Sequence, residues 1–413
     1  MELGDHFFRR EAGRLVAVLT HVFGVHNLSL VEDVVQDAFC RALQVWPFQG
    51  PPENPSAWLM TTARRRAIDV LRRERTARTY APEYGRLLES EWTLVPLVSE
   101  RLERAPVQDD LLRMMFSCCH PRLKEEAQIA LVLHVLCGFG INEVAAAFLD
   151  TPVATRKRIT RAKHVLASST RLFDLTHADF ASRLSAVQRA LYLLFNEGYH
   201  GASAESAVRS ELCDEARYLV TLLVEHPQTS TPATHALAAL MALHASRVPA
   251  RIDPEGQLRG LFDQDRSRWD RELMAEGERL LGRSAVGSDL SEYHLEAAIA
   301  MVHARAPTAE DTDWATIVEL YDTLLVLRPS PVVALNRAIA IAQHAGPQSG
   351  LDAIAAIADR DRLNRYPFLF AALGELELRC GRREIAREHF ARAVSVARSP
   401  QEREFFRRRV DAC

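Results

Sequence analysis

The chain has 413 residues, of which 48% are hydrophobic and 25% charged; this size and balance predict a soluble globular protein of two to four domains. A formal net charge of −3 excludes any overall cationic pull towards nucleic acid, and seven cysteines without a CxxC pair argue against a disulfide framework and for a reducing cytoplasm. No apolar run reaches membrane-spanning length, since Ile129–Ile141 is interrupted by His134 and two glycines, and MELGDHFFRR lacks a signal-peptide stretch.

Strand signals are nearly absent, and successive amphipathic helices broken by Gly, Pro and Asp predict an all-α fold. A first helix is expected over 7–23 and a second over 30–45. In the second, Leu30, Val31, Val34, Val35, Ala38, Phe39, Ala42 and Leu43 form an apolar stripe, opposite Glu32, Asp33, Gln36 and Asp37. Four prolines in WPFQGPPENP (46–55) predict a loop that carries Trp46 and Phe48. The next helix runs from Ser56 to about Thr76, with Leu59, Ala63, Ala67 and Val70 on one side and Arg65, Asp69, Arg72 and Arg73 on the other. Residues 64–78 hold seven arginines against two acids. A basic helix beside loop aromatics suits unstacked single-stranded bases.

Residues 79–110 reverse the charge, with Glu83, Glu89, Glu91, Glu100, Glu103, Asp109 and Asp110 against Arg86, Arg101 and Arg104. They read as an acidic linker. Its 28 residues from Thr79 to Pro106 extend to about 90 Å at most, enough to join modules on DNA sites ~16 base pairs, about 55 Å, apart. Cys118-Cys119-His120 reads as a buried helix end before Pro121, because adjacent ligands do not readily converge on one metal ion.

The stretch GINEVAAAFLDTPVATRKRITRAKHVL (140–166) predicts a short helix, a turn at Asp150-Thr151-Pro152 with Thr151 as N-cap, and a second helix. Residues 151–170 carry five basic side chains (Arg156, Lys157, Arg158, Arg161 and Lys163) and no acid. This is the pattern of a helix-turn-helix whose second helix enters the DNA major groove. Further on, Leu373-Gly374, Ala386, Phe390 and Ala393, with Gly381 as a turn, keep the spacing of a tetratricopeptide repeat (TPR), as do Tyr321 and Pro329. The stretch His344–Gly350 reads as an insertion, and Pro329-Ser330-Pro331 and Gly346-Pro347 as inter-helix turns.

Taken together, LVEDVVQDAFCRAL (30–43), NPSAWLMTTARRRAIDVLRR (54–73) and the FSCCHPRL, GINEVAAAFL and RKRITRAK series within 116–163 resemble an extracytoplasmic-function (ECF) sigma factor of bacteria. LYLLFNEGY (191–199), FDQDRSRWDRELMAEG (262–277), TDWATIVELYDTLL (312–325) and PSPVVALNRAIAIA (329–342) resemble a subgroup with a long TPR-like C-terminal extension. The resemblance implies region 2 over 1–78, the acidic linker over 79–106, region 4 over 107–170, a helical extension over 171–285 and TPR-like repeats over 286–413.

It also implies roles. Asp33, Gln36, Asp37 and Phe39 bind the clamp helices of core RNA polymerase, whose flap takes region 4. Asn54, Trp58, Arg64, Arg65, Asp69, Arg72 and Arg73 flank the −10 element, and Trp46 and Phe48 capture an extruded base. Thr155, Arg156, Lys157, Thr160, Arg161 and Lys163 meet the −35 element, while Arg158 supports the fold. The sequence departs from the family at Ala154-Thr155, where Thr then an apolar residue is usual, and at Ser291-Glu292-Tyr293, where Gly-Pro-Tyr is common. The implied partners are core RNA polymerase and promoter DNA, with the extension acting in cis on the sigma regions or the polymerase. No cofactor, metal or catalytic residue is implied. Two other readings are a polymerase-independent helix-turn-helix regulator with a TPR-like sensor and a TPR scaffold without DNA. The first leaves the polymerase-docking helix unexplained, the second both basic patches. An enzyme reading finds no nucleotide-binding glycine loop, zinc-protease motif or nucleophile elbow.

Overall fold

Local capping chemistry sets most helix starts. Asn54 Oδ1 accepts from the Ala57 amide at 3.0 Å, and Thr151 Oγ1 from Ala154 at 3.2 Å. Five helices of the C-terminal half begin with a proline in the first turn (Pro232, Pro331, Pro347, Pro367 and Pro400), where the missing N–H costs nothing. The computed structural model describes residues 5–79, 107–148, 150–168, 175–200, 208–253, 257–397 and 399–413. Among them every regular element is helical, and the one β pairing is an isolated bridge between Ile252 and Leu258. The acidic linker expected over 79–106 lies outside the described residues except for Thr79.

Two compact units divide the chain, 1–193 and 194–413. The first contains α1 (Asp5–Phe23), α2 (Leu28–Gln49), α3 (Pro55–Thr79), α4 (Val107–Cys118) and α5 (Glu125–Leu131). A π-helical stretch, Val132–Leu136, continues α5, and α6 (Ile141–Ala147), α7 (Pro152–Ala167) and the first part of α8 (His177–His200) follow. Leu15 and Leu19 of α1, Val31, Val34 and Ala38 of α2, and Leu59, Ala63 and Ala67 of α3 are buried together. Gly13 marks a close approach of α1 to the π-helical stretch, since a Cβ there would lie 2.0 Å from the Leu136 carbonyl oxygen. His21 Nδ1 also lies 2.6 Å from Asp110 Oδ1 across α1 and α4. On α4, Phe116 packs on Phe180 of α8 at 4.7 Å, and its carbonyl accepts from Arg183 Nη1 at 3.1 Å.

The expected loop over 46–55 is corrected. Helix α2 runs through Trp46, Pro47 and Phe48 to Gln49, and only 50–54 is irregular. Pro47 is tolerated because it is exposed in the last turn, where its missing hydrogen bond falls at the solvent-facing side.

The second unit takes the rest of α8, then α9 (Ser210–Glu225), α10 (Pro232–Ala245), α11 (Val248–Arg251), α12 (Arg271–Ser284), α13 (Glu292–Arg305) and α14 (Trp314–Leu327). After these come α15 (Pro331–Ala345), α16 (Pro347–Ala355), α17 (Pro367–Arg379), α18 (Arg383–Val396) and α19 (Pro400–Asp411). Helix α10 is apolar nearly all round and buried accordingly. From α14 onward, neighbours in sequence pack on each other, and Leu335, Ala338, Ala342, Leu351, Ile354 and Leu373 share one core. Gly381, with φ of 79°, makes the turn between α17 and α18 that a side chain would strain. The stretch 344–350, expected as an insertion, is instead the end of α15, Gly346 as a one-residue turn, and the start of α16.

Candidate nucleic-acid interface

Helices α2 and α3 form the first surface. Asp33, Gln36 and Asp37 are exposed on α2, while Phe39 is half-buried edge-on to Phe8 at 5.5 Å. Leu43, expected in the apolar stripe, is 63% exposed and joins the acidic face instead. Arg66, which the sequence reading did not single out, bonds Asp37 Oδ2 through Nε at 2.9 Å and ties α3 to α2. On α3, Arg65, Asp69 and Arg72 are exposed, Arg64 is half-buried, and the side chain of Arg73 is outside the described set. Asn54 spends its side-chain oxygen on the α3 cap.

The aromatic pair expected to take a base separates. Trp46 is buried, stacked on Phe8 at 5.8 Å and edge-on to half-buried Trp58 at 5.5 Å. It is a core residue here and is corrected as a base-stacking candidate, because the helical continuation of α2 turns it inward. Phe48, two residues later on the opposite side, is 89% exposed.

The second surface is α7. At about 100° per residue, Arg156, Lys157, Thr160 and Arg161 fall on one exposed face, together with Val153 and His164, which the sequence reading passed over. Thr155 is fully buried, on the inner face with Ile159, Ala162 and Leu166, and is corrected as a DNA-facing residue. Its Oγ1 has no hydrogen-bond partner. Arg158 braces the turn, bonding Asp150 Oδ2 through Nη2 at 2.7 Å and lying 5.7 Å from the Phe148 ring centroid.

Lys163, expected at the −35 element, is turned inward in the free chain. Its Nζ donates to both carboxylate oxygens of Glu32 on α2, at 2.6 and 2.8 Å, and the two side chains are only 18% and 23% exposed. His134 Nε2 stands 4.0 Å from the same carboxylate, and burial holds its pKa below the ordinary value of 6.5. The acid-bearing helix and the basic helix thus meet through an ion pair 131 residues apart in sequence. Sequence spacing cannot show this, because the pair depends on how α1 packs against the π-helical stretch.

Cys118 and Cys119 close α4 and are both buried; burial raises the Cys119 thiol to about 12 and the Cys118 thiol well above its usual value. Among the described residues no cluster of three His, Cys, Asp or Glu side chains is arranged to hold a metal, and no helix is long and apolar enough to cross a membrane.

Residues 7–77, spanning α1 to α3, match Sigma-70 region 2, and residues 183–285 match a family of unknown function (DUF6596). The all-α chain therefore carries an N-terminal module that supports a sigma-factor role in transcription initiation and implies binding to core RNA polymerase. An uncharacterized protein of Rhizobium meliloti (strain 1021) is 38% identical over 387 residues, covering 93% of this chain and 90% of the relative. The chain belongs to the same family as that protein. No solved structure matches it.

Proposed function

We propose that the protein is an ECF-type sigma factor that places core RNA polymerase on promoters through two DNA-facing helices. The observation that carries this reading is the Sigma-70 region 2 match over α1–α3 in a chain that also presents an exposed basic face on α7. Asp33, Gln36 and Asp37 offer exposed acid and amide groups to the clamp, with Leu43 as an adjacent apolar contact. Arg65, Arg72 and Phe48 face the −10 element, where one base stacked on an aromatic ring contributes about 1–3 kcal/mol. Arg156, Lys157, Thr160 and Arg161 read or grip the −35 element. With Thr155 buried, the exposed Val153 at the start of α7 is an apolar side chain able to meet a thymine methyl. The helices from α14 onward form TPR-like repeats, and the extension regulates in cis.

Adding the full chain to core polymerase and following promoter-specific initiation tests the reading. Promoter-selective transcripts that vanish without the chain are expected. Tight sequence-specific duplex binding without any effect on the polymerase would instead favour a self-sufficient regulator. A truncation that probes the extension should retain residues up to 193, since Phe180 and Arg183 complete the first unit. Unchanged promoter activity after truncation would remove the regulatory role.

A further inference from the structure

The second unit contains a group of buried and half-buried arginines that form no ion pair among the described residues, although Glu310 and Asp311 lie near enough to Arg266 to attract it. Arg247, between α10 and α11, and Arg251, at the end of α11, are each 8% exposed, and Arg266 is half-buried. Elsewhere in the unit arginines find carboxylates: Arg217 pairs with Glu276, Arg259 with Asp253, Arg305 with Glu278 and Arg328 with Glu292. None of Arg247, Arg251 and Arg266 has an ion-pair partner among the described residues. Arg266 spends both terminal nitrogens, Nη1 on the carbonyls of His303 and Ala306 at 2.8 and 2.7 Å and Nη2 on Thr312 Oγ1 at 3.2 Å, whereas Arg247 has only a long 3.5 Å bond to Gln264.

Aromatic rings hold these cations in place. Arg251 lies 4.0 Å from the Tyr199 ring centroid, and Arg247 and Arg266 lie 5.4 and 5.0 Å from that of Trp269. Two like charges on one indole repel each other, and removing guanidinium groups from water without a counter-charge is strongly unfavourable. The surrounding polar atoms are unsatisfied as well: Tyr199 Oη, Arg251 Nε, Trp269 Nε1, His244 Nδ1 and His303 Nδ1 are buried without a hydrogen-bond partner. Most of these are donors. Both histidines are held neutral, with pKa values near 3, first by burial and then by the arginines, so they add hydrogen-bonding capacity without charge.

Stacking occupies the flat faces of a guanidinium and leaves its N–H edge to form the two-pronged contact that fits a carboxylate or phosphate. We propose that Arg247 and Arg251, set against Trp269 and Tyr199 with Arg266 adding positive charge beside them, form a binding site for a small oxyanion, a phosphate or carboxylate group. It lies within the stretch matching the family of unknown function and its immediate surroundings, and stands whatever the N-terminal module does.

The test uses the full chain, with inorganic phosphate and acetate as separate probes against chloride at matched ionic strength, followed by calorimetric titration and thermal unfolding. One oxyanion is expected to bind saturably at about one per chain and to raise Tm through mass action. The responding arm distinguishes a phosphoryl from a carboxylate ligand. Arg251→Gln should weaken that binding at least tenfold. Arg247→Met, which replaces a buried unpaired charge by an apolar chain of similar length, should also lose the response while being at least as stable as the parent in chloride. The proposal is overturned if neither anion gives saturable binding, if the variants respond as the parent does, or if Arg247→Met is destabilised in chloride.

Discussion

Adjacent positions on α7 have opposite fates. Thr155 is buried with its hydroxyl unpaired, so Thr155→Val should leave promoter recognition unchanged and stability equal or higher, as read by urea unfolding and in vitro transcription. Arg156→Ala should do the reverse. It should leave stability within about 0.5 kcal/mol, weaken DNA binding, and reduce the salt slope of that binding by about 1 if Arg156 meets a phosphate. If Thr155→Val impaired recognition more than Arg156→Ala, the assignment of the exposed face would fail. A second residue-scale prediction concerns acid. His244 and His303 protonate near 3 in the folded unit, against an ordinary value of 6.5, so the unfolded chain is the better proton binder between those values. Their contribution to stability is complete above pH 6.5 and declines as pH falls towards 3. The urea midpoint of the second unit should therefore drop between about pH 7.5 and about pH 5, and His303→Gln should flatten the drop.

At the scale of elements, the end of α2 separates a core aromatic from a surface one. Trp46→Ala should cost roughly 3–5 kcal/mol, whereas Phe48→Ala should change stability by no more than about 0.5 kcal/mol and reduce promoter opening. Equal stability losses for the two would contradict the helical continuation. This is also where sequence reading reached its limit. The all-α class, the Thr151-Pro152 start of α7 and the Gly381 turn were legible, because caps and glycine turns act over a few neighbouring residues. The 46–49 turn was not, because proline content argued for a loop while the burial of Trp46 against Phe8 and Trp58 drew it into a helix. On α7, the family resemblance placed Thr155 outside, whereas it packs inside with Ile159, Ala162 and Leu166. The inward turn of Lys163 had no local signal, since Glu32 approaches only through tertiary packing. The arginine cluster of the second unit was missed for the same reason: its members come from separate helices and loops.

On the scale of the molecule, α2 and α7 are held together in the first unit by the Glu32–Lys163 pair, and Gly13 lets α1 approach the π-helical stretch at Leu136. On the proposed reading, −10 and −35 elements ~16 base pairs apart are separated by about 55 Å, so this arrangement must open on a promoter. Fluorescence energy transfer between dyes on α2 and α7 should be high in the free chain and fall when core polymerase binds. Gly13→Val should lower it in the free chain and destabilise the first unit. Unchanged transfer on polymerase binding would show that the two helices stay together.

The Glu32–Lys163 pair then has a consequence for salt. Opening frees one carboxylate on the polymerase-facing helix and one ammonium on the DNA-facing helix, so a single internal contact is exchanged for one with each partner. The chain should count one more cation towards DNA in the holoenzyme than it does alone, and Lys163→Met should erase that increment while leaving the free chain's DNA affinity almost untouched. Polymerase binding would in this way alter how strongly the far helix holds phosphate, with no signal passing through the linker.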